Sequence, residues 1–251
     1  VCCFSGPVES VNDTKIFARS VENGRQLLVY SMVVSMKNDL AMILPLPVPP
    51  GSPEDAVRFI DLKGYPEFFT DMKAGFPDLK PRSGGFLTKS APPPAAAEAR
   101  LEVVQVGSFE ASFVPAIKDF GRLDVRFRLP DKAWDALPSY KDYGFAVFKL
   151  KSRESTIHPM AFEFPRADPK KVFFPTVHIH DGQVHEKAAF DHWLYCQKRE
   201  GDMTSLPEWR ESDFEAARFL KVDKTQRIVD GAGHCYQRKI RGERKNEDTI
   251  V

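Results

Sequence analysis

Cysteine is scarce in this chain: Cys2, Cys3, Cys196 and Cys235 are the only four among 251 residues. That is too few to build a disulfide scaffold of the kind that replaces a core in small secreted domains. It fits a reducing, cytoplasmic compartment, and the alternative is export with a signal peptide already removed. An excess of one charge is also missing. Thirty-six Lys and Arg stand against 35 Asp and Glu, leaving no net field to draw in a polyanion by counterion release, so nucleic acid is excluded as an expected partner. No apolar run approaches the roughly 20 residues that cross a bilayer as a helix. Residues 32–46 come nearest and are interrupted by Lys37, Asn38 and Asp39, so no transmembrane segment is expected. A glycine-rich phosphate loop and a nucleophile elbow are absent as well, since neither Gly84-Gly85 nor Ser5-Gly6-Pro7 supplies the required spacing.

Apolar material is plentiful, at 42% of the chain with twenty phenylalanines. Most of the phenylalanines sit in short alternating runs, where aromatic rings suit a pleated, half-buried surface. Residues 15–19, 26–36 and 40–46 read as strands of a meander, with Glu22-Asn23-Gly24 as the first turn. Prolines 45, 47, 49 and 50 then mark an extended exit from an edge strand. Residues 57–62 suggest a strand, and residues 66–74 a short helix showing Phe68, Phe69 and Met72 on one side. Residues 80–100, with Ser-Gly-Gly and Pro-Pro-Pro-Ala-Ala-Ala, read as a linker or long surface loop. This divides the chain into a β-rich part, 1–79, and an α+β part, 101–251, or leaves one continuous domain.

Beyond the loop, strand patterns cover 101–106, 109–114, 143–151, 156–164, 173–180, 183–186, 190–196 and 235–240, with a short helix near 131–137. One longer C-terminal helix is expected over 207–221. Ser205 and Glu208 stand at capping-box spacing, and Trp209, Ala216, Ala217 and Leu220 recur on one face. The charged run 241–248 reads as a solvated tail. The fold class is therefore α+β: predominantly antiparallel β-sheet, a few short helices and that one longer helix.

The chemistry-bearing constellation is Val177-His178-Ile179-His180-Asp181-Gly182-Gln183-Val184-His185. Asp-Gly between alternating residues signals a two-residue type I′ turn, because both turn positions need positive φ. Register then pairs His180 with Gln183, Ile179 with Val184 and His178 with His185. Val177, Ile179 and Val184 fall on one face. Thr176, His178, His180, Gln183 and His185 fall on the other, with opposed Cβ atoms about 5 Å apart. Three imidazoles so arranged could bind one divalent transition metal, Zn, Cu, Fe or Ni, with an open position for an activated water. The alternatives are a wet polar face with no ligand, or metal-free acid–base work by histidine near its ordinary pKa. His192 shares its strand face with Leu194 and Cys196 and reads as a core residue.

Cys2 and Cys3 point in opposite directions if extended. Either thiolate could add a soft ligand to the histidine face, Cys2 could act as an N-terminal nucleophile, or both could simply be buried. The nucleophile reading is similar to the glutamine amidotransferases and bile-salt hydrolases. Only Cys2 matches their pattern, and their glycine and asparagine motifs are not evident. Taken together, Cys2-Cys3, Lys15-Ile-Phe-Ala-Arg19 and Leu44-Pro-Leu-Pro-Val-Pro49 give the first 65 residues a likeness to an uncharacterised family of bacterial proteins. The resemblance implies a bacterial source and a β-rich layout. Some relatives look exported, and no catalytic residue is carried over. Three readings follow: a transition-metal-binding protein or metal-dependent enzyme; a non-catalytic binding or scaffold protein; and an N-terminal-cysteine hydrolase or amidotransferase-like enzyme. Substrate and oligomeric state are not legible.

Overall fold

Alternating apolar residues in the first third produce long strands, as the pattern predicts. The structure, a computed structural model, describes residues 3–77, 104–106, 109–151, 158–179, 183–198 and 205–251. The first elements are β1 (Cys3–Phe4), β2 (Ser10–Ser20), β3 (Arg25–Ser35), β4 (Leu40–Leu46), β5 (Arg58–Asp61) and α1 (Phe68–Ala74). Then come β6 (Val104–Val106), β7 (Phe109–Val114), α2 (Asp131–Asp135), β8 (Gly144–Leu150), β9 (Met160–Pro165) and β10 (Phe173–Phe174). The chain closes with β11 (Lys187–Gln197), β12 (Arg210–Glu215), β13 (His234–Lys245) and β14 (Thr249–Ile250).

Asn23 and Gly24 make the first hairpin turn at φ 57° and 69°, and Arg25 N–H closes it on the carbonyl of Glu22 at 3.3 Å. Two positive φ values give the type I′ twist that lets the flanking strands pair, here from Ser10↔Ser35 to Ser20↔Gln26. The expected meander stops there, because β4 crosses into a second sheet between β1 and β8. Among the described residues, one sheet has the order β1-β4-β8-β7-β6 and the other β12-β13-β11-β2-β3-β9-β5, with a short β10-β14 pair beside them. Named strands pair antiparallel except β11 with β2, which run parallel from Trp193↔Lys15 to Gln197↔Arg19. Sequence on either side of 80–100 feeds both sheets.

Three buried clusters show why so many strands are apolar on both faces. Met42, Leu44 and Phe148 of the first sheet meet Ile16, Leu28, Tyr30 and Phe162 of the second to form the central layer. The next residues along, Ala41, Ile43 and Val147, turn outward under Phe120, Trp134 and Leu137. On the far side Phe17, Leu27 and Val29 lie under Phe68, Phe69 and Met72 of α1 and under Leu220, Ile228 and Val229. Both faces of the central strands are thus covered, the setting in which strands lose the polar half of their alternation, while edge strand β12 and most of β13 stay exposed.

Two expectations are corrected. Residues 207–221 do not form the longer C-terminal helix. They supply edge strand β12 and a 3₁₀ turn at Ala216–Arg218. Partners in the fold outweigh local propensity here: Arg210 and Glu211 pair with Gln237 and Tyr236, and the Ser212 hydroxyl accepts from Cys235 N at 3.0 Å while donating to Phe214 O at 2.7 Å. Residues 241–248 are not a free tail either. Residues 241–245 are solvent-exposed, as the charge run suggests, but they belong to β13, and Asp248 is half-buried. Residues 80–100 lie outside those described.

Candidate functional site

Residues 175–178 lie in no strand and Ile179 makes only an isolated bridge to Cys3; the partner that the sequence predicts for them, residues 183–186, forms no ladder with them among the described residues. β10 is limited to Phe173–Phe174 and pairs with β14. The end of the chain takes the place of the second hairpin strand, and it works largely through side chains. Asn246 accepts the His178 N–H at Oδ1, 2.7 Å. Its Nδ2 donates to the carbonyls of His178 at 2.8 Å and His185 at 3.0 Å, and its own N–H reaches Glu186 O at 2.8 Å. Asp248 Oδ1 accepts the N–H groups of Thr176 at 2.8 Å and Val177 at 3.1 Å, while Oδ2 accepts the Tyr140 hydroxyl at 2.6 Å. Burial raises the Asp248 carboxyl above its ordinary pKa against the opposing pull of these donors. Burial and the neighbouring Asp248 also raise the Tyr140 phenol.

This clasp fixes where the predicted site residues point. Val177, Ile179 and Val184 share one apolar cluster, the face that the sequence assigns them. Cys3 lies in the same cluster, where its strand bridges Ile179 in parallel and Phe4 N–H donates to Ile179 O at 3.2 Å. His178, between Val177 and Ile179, turns the other way. Its ring packs edge-on against Phe190 at 4.5 Å and His192 at 4.9 Å. His185 is exposed. His178 and Cys3 are therefore adjacent in backbone yet face opposite layers. His180, Cys2 and the Asp181-Gly182 turn lie outside the described residues. Among the described residues, no three His, Cys, Asp or Glu side chains are grouped to hold one metal ion.

Sequence reasoning assigned His192 to the core, and it is fully buried. What that reasoning missed is that His192 is the imidazole facing His178. It also missed Asn246 and Asp248. Asn and Asp are the side chains best able to mimic backbone hydrogen bonding, so Asn246-Glu247-Asp248 after a strand was a usable local signal. Their partners, some seventy residues away in sequence, were not readable.

No protein-family model matches the chain, and no curated protein matches it significantly. Solved structures do. The fold belongs with two-sheet, largely antiparallel proteins, and the match is to baculovirus P35. The crystal structure of that protein is 14% identical, with 99% of this chain and 98% of that chain covered at a TM-score of 0.51. The caspase-8/P35 complex gives 12% identity, 95% coverage of each chain and a TM-score of 0.49. A mutated baculovirus P35 after caspase cleavage gives 15%, coverage of 97% and 98%, and a TM-score of 0.49. What the crystal structure of P35 shares with this chain is the fold.

Proposed function

We propose that this protein is a non-catalytic binding protein whose partner is another protein, and that caspase-type cysteine peptidases are the first partner class to test. The observation that carries the reading is the correspondence of fold with baculovirus P35 over nearly the whole of both chains. P35 itself is known in a complex with caspase-8. The arrangement around residues 176–179 supports the same reading, because His178 and Cys3 are engaged in packing on opposite faces. Purified protein should bind immobilised caspase-8 saturably and reduce its peptidase activity in proportion to occupancy. Absence of binding to caspase-8 and to a panel of related cysteine peptidases defeats the proposed partner class.

A second reading, transition-metal binding by His178, His180 and His185 with Cys2 or Cys3, is favoured by the contact of His178 with a further imidazole, His192. Elemental analysis of protein purified without chelator is the test. Stoichiometric Zn, Cu, Fe or Ni that is lost in a His178→Ala/His180→Ala variant supports it, and a metal-free protein that takes up none of the four rejects it.

A further inference from the structure

Three arginines from three separate elements border an open cleft of about 700 Å³, together with Asp223, Gln226 and Asp230. Arg19 comes from the end of β2, Arg58 from the start of β5, and Arg227 from the turn after the 3₁₀ segment Val222–Thr225. That turn is unusual. Gln226 and Arg227 both adopt left-handed backbone, φ 52° and 65°, a region in which consecutive residues with side chains are strained. Ile228 N–H closes it on Thr225 O at 2.9 Å, and Arg19 Nη2 grips the Arg227 carbonyl at 2.8 Å. The grip holds the backbone of the turn that carries Arg227 against the end of β2.

The donors are not used up. Arg19 Nε is buried and has no hydrogen-bond acceptor among the described residues. Burial lowers the Arg19 pKa, and the field of Asp230 opposes that effect. Within this set of residues neither Arg19 nor Arg227 forms an ion pair, whereas Arg58 is tied to Glu163 through Nε at 3.1 Å. Asp230 is partly occupied as well, since Oδ1 accepts from Ala232 N at 3.0 Å.

We propose that Arg19 and Arg227, with Arg58 at the rim, form a receptor for one carboxylate group. Guanidinium N–H groups make charge-assisted hydrogen bonds to a planar carboxylate. With Arg19 Nη2 committed to the Arg227 carbonyl and Arg19 Nε buried, the exposed Arg227 guanidinium offers the open fork while Arg19 adds its charge. Asp223 and Asp230 on the same wall repel a second negative charge, which sets a carboxylate ahead of a phosphate dianion. The carboxylate could come from a free small acid or from a Glu or Asp side chain on a polypeptide.

The Arg19 Nε–H resonance, identified by its loss in Arg19→Gln, is the reporter. Titration with acetate, with a blocked peptide carrying one Glu, with the same peptide carrying Gln, and with inorganic phosphate distinguishes the sources. The proposal expects saturable shifts with acetate and with the Glu peptide, none with the Gln peptide, and weaker binding of phosphate. Equal affinity for acetate and the Glu peptide identifies a free acid, and tighter binding of the peptide identifies a protein side chain. Because Arg227 is exposed, Arg227→Gln should fold normally, and it should weaken acetate binding about tenfold through loss of one charge-assisted contact. An unresponsive Arg19 signal, unchanged affinity in Arg227→Gln, or phosphate binding tighter than acetate overturns the proposal.

Discussion

Asn246 does with one amide what a paired strand would do for His178 and His185. It satisfies the His178 N–H and the carbonyls of both residues. Asn246→Ala removes three hydrogen bonds and should destabilise the fold by about 2 kcal/mol, part of it from groups left without partners. Asn246→Asp should cost at least as much, since two carbonyls would then face an acceptor. Urea denaturation measures both. Asp248 makes a pH-dependent prediction. Its folded-state pKa lies above the ordinary 3.8, so between the two values the folded protein holds a proton that the unfolded chain has lost. The stability from this group is fully present below pH 3.8 and is lost as pH rises through the folded value. Asp248→Asn should flatten that decline in a series of urea titrations from pH 4 upward. The shared side-chain face of Val177 and Ile179 was legible in the sequence, because a period of two survives whatever strand lies alongside; Val184 joins their cluster without the hairpin pairing from which the sequence placed it there. The direction of His178 toward Phe190 and His192 was not, because nothing local names the opposing layer.

At the level of elements, period-two patterning located β3, β4, β7 and β8 closely and only the second half of β2, and α1 declared itself through Phe68, Phe69 and Met72. β12 was misread because Trp209, Ala216 and Leu220 satisfy a helical spacing by accident. Leu220 and Ala216 reach the outer cluster by way of a turn, and Trp209 packs on Phe174 from just before the strand. Sheet membership was also hidden, since β3 and β4 look alike yet end in different sheets. Within β13, Gly242 sits at φ +82° with open space around an added Cβ. Gly242→Ala should therefore cost about 1 kcal/mol through backbone strain alone, read as a lower thermal midpoint with native spectra unchanged.

For the whole molecule, burial within the layered core puts its described thiols out of reach. Cys3, Cys196 and Cys235 are all buried, and burial pushes the Cys235 thiol up to about 12 against the opposing charge of Arg19. Native protein should leave these three unmodified by a thiol reagent over a period in which the denatured chain reacts completely, with mass spectrometry as the readout. Rapid native labelling of Cys235 contradicts this packing. The interleaving of strands has a mechanical corollary. Trp193 is laced to Lys15 in one sheet and Phe145 to Pro45 in the other, so a single peptide-bond scission within residues 80–100 would not release two pieces. The halves would stay knitted together, migrating as one body on a sizing column and separating only when denaturant undoes both sheets.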